Sequence, residues 1–149
     1  LKSIGEISGV VISNCTMRNI WREGIKLECT EGGSITEILV ENVTMHNVRR
    51  PIFAILNNRY RPDDLGSSVE LDHIPPIGTM ARLRFVGITA VDDEEMAHAG
   101  SENYYPNWSR TTHLDARYVR GLTLENLHFI TLHPDERPKM LTEGPTVML

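Results

Sequence analysis

The segment Gly24-Ile25-Lys26-Leu27-Glu28 sets a cation and a carboxylate two positions apart between apolar neighbours. In an extended chain Lys26 and Glu28 share one face while Ile25 and Leu27 take the other. Such a pair either forms a surface ion pair of little energetic weight or lines a cleft, where Glu28 is a candidate acid whose partner lies elsewhere. Further on, Arg49, Arg50, Arg59 and Arg61 place four cations within 13 residues, with no acid before Asp63. A basic stretch on an acidic chain can steer an anionic polymer, or it can be plain solvated surface. Tyr60 lies inside it, as a cleft hydroxyl or as a turn residue.

Paired carboxylates would extend that chemistry. Asp63-Asp64 reads as a turn, and Asp92-Asp93 opens the stretch DDEEMAHAG. Acid–base work by carboxylates needs two such groups facing one substrate, and upstream of Gly24 there is neither Asp nor His. The six histidines (46, 73, 98, 113, 128 and 133) show no HxxxH or HxH spacing, and Cys15 and Cys29 lack zinc-ligand neighbours. Neither metal nor cofactor is expected, and neither a phosphate cradle nor a recognisable Ser-His-Asp context is present.

These residues must be positioned by elements that repeat. Residues 7–17 read ISGVVISNCTM, 35–45 read ITEILVENVTM and 119–129 read VRGLTLENLHF, with a fainter copy at 81–91 carrying Gly87 in the place of Asn. Apolar and polar residues alternate with a period of two, which means strand. Asn14 and Asn42 are 28 residues apart, room for short strands and turns but not for a long helix besides. The expected fold is therefore all-β, a parallel β-helix in which each coil buries its apolar face against its neighbours. Stacking would put Asn14, Asn42 and Asn126 in one column, where amides can bond from coil to coil. Read as glycosylation acceptors, Asn14 and Asn42 fall at tight turns and Asn107 in a loop, so that only Asn107 looks reachable. Cys15 aligns with Val43, Ile88 and Leu127 and is expected to be a small core side chain.

At 149 residues, with 40% hydrophobic residues, the chain reads as a single partial domain over 1–149. Its coils are expected at about 5–56, 80–91 and 118–149, with two long loop excursions at 57–79 and 92–117. The second excursion clusters Tyr104, Tyr105 and Trp108, rings that suit sugar faces or pin the loop to the body. A formal charge of −5 argues against nucleic acid or an anionic membrane as partner. The absence of caps at either end suggests a piece of a longer protein, or else self-association through open solenoid ends. Two cysteines fit a reducing compartment.

With the coil established, GVVISNCTMRN, GIKLECTEGGSITEILVENVTMHNVRRPIFAILNNRY and the weaker echo Asp135-Glu136-Arg137-Pro138 resemble glycoside hydrolase family 28, the polygalacturonases. That resemblance implies a right-handed, pectate-lyase-like parallel β-helix and inverting hydrolysis of pectin-derived or related plant oligosaccharides by paired aspartates. It further implies a bacterial parent enzyme, cytoplasmic or periplasmic, or secreted if a leader precedes Leu1. Lys26, Glu28, Arg59, Tyr60 and Arg61 would line the saccharide cleft. The family's Gly-apolar-Arg-apolar-Lys motif aligns with Gly24 to Glu28, but Lys26 stands for Arg and Glu28 for Lys, so that a doubly positive pair becomes neutral. Together with the missing aspartates, this leads us to expect no turnover from the chain by itself. The rival reading is a non-catalytic β-helix that binds carbohydrate or serves as a structural shaft of the tailspike kind.

Overall fold

The computed structural model describes residues 5–30, 32–57, 76–92 and 111–144. Within them there is no helix, and six strands form one curled, wholly parallel sheet. The strands are β1 (Glu6–Cys29), β2 (Ser34–Leu56), β3 (Thr79–Asp92), β4 (Leu114–Arg117), β5 (Arg120–Thr131) and β6 (Met140–Glu143). The first half of β2 pairs with β1 on one side and β3 on the other, while its second half pairs with β1 and β4. Beyond these, β3 pairs with β5 and β4 with β6. The chain thus makes four passes, β1, β2, β3 with β4, and β5 with β6. The segment 92–117, expected as a loop, contributes Asp92 and β4 to the walls at its two ends. The expected coil at 118–149 supplies the strands of the fourth pass.

Long strands bend where the backbone turns left-handed. One column of positive φ runs through Gly9, Glu37, Arg82 and Gly121, a second through Asn14, Asn42, Gly87 and Asn126, and a third through Asn19 and Asn47. Glycine tolerates this region freely and asparagine better than other side chains, which is why those types recur at the bends. At Glu37 and Arg82 the strained backbone is accompanied by an ion pair of 3.1 Å between the two side chains. Between bends the alternation restarts, which keeps one apolar residue in two facing inward.

Apolar columns therefore cross all the passes in register. Val10, Ile38, Leu83 and Leu122 form one; Ile12, Val40, Phe85 and Leu124 a second; Cys15, Val43, Ile88 and Leu127 a third. The middle passes seal the core: Ile38, Val40, Leu83, Phe85 and Ile88 are buried, each contributing about 1.5–3 kcal/mol relative to exposure. In the fourth pass Leu124, Leu127 and Phe129 are only half-buried and, with Lys139 and Met140, line an open hollow of about 400 Å³. Cys15 takes the core position expected of it, and both cysteines are free thiols.

The asparagine column is real but interrupted. Asn42 donates through Nδ2 to Asn14 Oδ1, whereas Gly87 in the next pass offers no side chain, and Asn126 instead lies 3.0 Å from His128 Nε2. A second ladder, unanticipated, joins Asn47 Nδ2 to Asn19 Oδ1 at 2.8 Å. A Cβ on Gly87 would meet nothing closer than the Asn42 nitrogen at 3.8 Å, and its φ of +61° is one asparagine adopts. Gly87→Asn is accordingly expected to stabilise the fold by about 1 kcal/mol, by completing the amide column and restricting the unfolded chain. Thermal unfolding should show a midpoint about 2–4 °C higher, and a lower one would mean that the bend cannot take a side chain.

Candidate functional site, a charged face

The last face of each pass is built from residues 25–29, 52–56, 114–117 and 140–143. Its inward columns are Ile25, Ile52, Leu114, Met140 and Leu27, Ala54, Ala116, Thr142. The outward columns are Lys26, Phe53, Asp115, Leu141 and Glu28, Ile55, Arg117, Glu143. Lys26 and Glu28 thus stand on one outward face, as their spacing requires, and pair with each other at 2.9 Å. Gly24 leads into this face because a Cβ there would press on the Pro51 carbonyl at 3.0 Å and the Met45 sulfur at 3.1 Å.

The face is entered through a bulge. Ile20 pairs with Val48 but Glu23 pairs with Arg50, so β1 holds one residue more than β2 at this point. The extra residue shortens the repeat from 28 to 27 and turns Trp21 outward, where it is exposed. It also sets Glu23 beside Arg50, with Arg50 Nη1 at 3.4 Å from Glu23 Oε1 and both side chains at most 5% exposed. Burial pushes the Arg50 guanidinium down to about 10, against the upward pull of Glu23 and Asp115. Arg50 therefore belongs to a buried pair and not to a surface patch, a correction to the four-cation reading.

Phe53 is buried between two guanidinium groups, Arg50 at 4.6 Å and Arg117 at 5.6 Å from its ring centre. Cations over an aromatic face are attracted by its quadrupole. Arg117 also grips Asp115 with a fork, Nε to Oδ1 at 3.1 Å and Nη2 to Oδ2 at 2.7 Å. Tyr118 donates its hydroxyl to Glu143 at 3.4 Å at the edge of the face. Glu23, Glu28 and Asp115 are therefore each matched by a cation, in an arrangement that can bind polar groups.

Of the cleft residues expected from the sequence, Lys26 and Glu28 come together here. Arg59, Tyr60 and Arg61 lie outside the described residues, as do Asp63-Asp64, Asn107 and the aromatic cluster at 104–108. Sequence reading missed Glu23, Arg50, Phe53, Asp115 and Arg117 as one group. The signal for Asp115-Ala116-Arg117 was present, since its i, i+2 charge pair mirrors Lys26-Leu27-Glu28 with the order reversed.

A second polar cluster sits at the far bend. His133 Nε2 is 3.4 Å from Asp92 Oδ2, and Asp135 is held by Arg137 through Nη2 at 2.6 Å and the backbone nitrogen at 2.9 Å. Burial pushes the Asp92 carboxyl up, against the pull of His133, while the Arg137 hydrogen bonds hold Asp135 down. No family model, curated protein or solved structure matches this chain.

Proposed function

We propose that the chain is part of a right-handed parallel β-helix of the glycoside hydrolase family 28 kind, which holds a plant oligosaccharide against its charged face. The observation that carries this reading is the pair of outward columns on one wall, in which the Lys26–Glu28 pair and the Arg117 guanidinium, held by buried Asp115, stand two passes apart with Phe53 and Ile55 between them. Parallel passes keep such groups at regular spacing, as a repeating polymer demands, and long loops on a rigid wall are where ligand contacts concentrate. Lys26 and Arg117 suit the carboxylate of a uronic acid, and Glu28 the hydroxyls of a neutral sugar.

The ion-pairing of the face favours binding over hydrolysis within that reading. An acid or base must be free to exchange a proton with substrate, whereas Glu28 is engaged by Lys26 and Asp115 by Arg117. The test uses the purified chain with polygalacturonate, rhamnogalacturonan and synthetic aryl glycosides. Saturable binding to one of these without release of reducing ends is expected. Lys26→Ala should weaken it by about tenfold or more, the value of one charge-assisted hydrogen bond. No affinity for any of them removes the saccharide reading, and turnover overturns the binding one.

A further inference from the structure

Asp92 ends β3 while His133 and Asp135 follow β5, yet their ligand atoms all lie within 4.8 Å of one another. The Asp92 side chain is 2% exposed, and its Oδ1 has no hydrogen-bond partner. His133 Nδ1 is 3.2 Å from the Pro134 carbonyl oxygen, which can only accept. In the neutral ring Nδ1 therefore carries the proton, and Nε2 turns its lone pair toward the Asp92 carboxylate. Either a second proton on the ring or a metal ion between the two groups makes that 3.4 Å contact attractive.

Asn47 supplies an independent indication. Counting one residue on from the His46–Val91 pairing, Asp92 stands a pass above Asn47. Asn47 is 7% exposed, its Nδ2 is committed to Asn19, and its Oδ1 has no partner. Two buried oxygens without donors thus belong to successive positions of one column, the upper of them beside an imidazole nitrogen and a second carboxylate. Arg137 donates to both oxygens of Asp135, to Oδ1 from its backbone nitrogen and Nε and to Oδ2 from Nη2 at 2.6 Å and, at a longer 3.2 Å, from Nε. Arg137 would orient that carboxylate as an outer-shell partner orients a ligand.

We propose that Asp92, His133 and Asp135, with Asn47 one pass below Asp92, form a binding site for a divalent cation of the zinc or manganese class. One imidazole nitrogen among oxygen donors suits these ions, whereas calcium takes oxygen ligands alone. The ion would tie the end of the third pass to the turn that follows β5, and so serve the stacking of the passes and not the charged face.

The test is calorimetric titration of the chelator-stripped wild-type chain with Zn²⁺, Mn²⁺ and Ca²⁺, with Co²⁺ absorption as a geometric readout. One equivalent of Zn²⁺ or Mn²⁺ should bind with a Kd below about 10 µM, and calcium much more weakly. Asp92→Asn and His133→Gln should each weaken binding by about tenfold or more, while His46→Gln should not. Asparagine at position 92 extends the column of Asn19 and Asn47, so that variant is expected to fold. The wild-type titration in any case depends on no variant. The proposal is overturned by no saturable uptake at about 100 µM metal, or by uptake that Asp92→Asn and His133→Gln leave at wild-type strength.

Discussion

Replacing Arg50 with methionine is expected to cost the fold about 3–5 kcal/mol, the penalty for removing one partner of a buried ion pair. Methionine fills much of the same volume, so the loss would not come from a cavity. It would come from Glu23, 5% exposed and set opposite Arg50 by the bulge, whose charge would keep only the 3.9 Å contact with the exposed Arg22. The variant also removes a guanidinium from the face of Phe53. Denaturant midpoints of the wild type, Arg50→Met, Glu23→Gln and the double variant should show the double variant to be less destabilised than the sum of the two single ones. A loss below about 1 kcal/mol in Arg50→Met would mean that the pair is solvated, and the charged face would then lack its rigid inner edge.

That pair also shows where sequence reading stops. The 28-residue spacing of Asn14 and Asn42 and the alternation around it foretold parallel strands, the columns of Val10, Cys15 and their partners, and the shared face of Lys26 and Glu28, because period and spacing are local properties. The 27-residue offset between Ile25 and Ile52 was visible too, yet its meaning was not. Only the pairing shows that one residue is bulged out, and that Glu23 thereby meets Arg50. Arg50 looked like one of four surface cations because a run of arginines carries no record of burial. The cluster of Asp92 with His133 escaped for another reason: 41 positions separate the two in the sequence, and no spacing motif spans a pass of unknown length. Gly87 was read correctly as the weak copy of Asn, but its consequence, a gap in the amide column, required knowing which passes are neighbours.

Acid should weaken the protein between pH 6.5 and 4 through a single core histidine. His113 precedes β4 and is fully buried, stacked on Phe129 with ring centres 4.8 Å apart and planes 12° from parallel. Its Nε2 lies 3.2 Å from the Ile130 carbonyl oxygen and so must donate, which leaves Nδ1 to accept from the Thr112 hydroxyl at 2.7 Å. The neutral ring thus satisfies both partners. Burial, aided by the nearby charges of Lys139 and Arg137, pushes its pKa down to about 4 from the ordinary 6.5, although the Ile130 and Ala90 backbone bonds pull the other way. Between those values the unfolded chain takes up a proton that the folded chain refuses, so stability falls as pH falls. The contribution is complete above pH 6.5, is lost progressively down to about pH 4, and is level below. At about 1.4 kcal/mol per pH unit the loss reaches about 3 kcal/mol. His113→Phe keeps the stacking and cannot titrate. It should begin less stable at pH 7.5, for want of the two hydrogen bonds, yet lose about 3 kcal/mol less than the wild type on acidification to pH 4. Urea unfolding at pH 7.5, 6, 5 and 4 compares the two slopes, and NMR titration of the His113 ring reports its midpoint directly. A midpoint between pH 6 and 7, or parallel slopes in the two proteins, would show that water reaches the ring and that the third and fourth passes do not close over it.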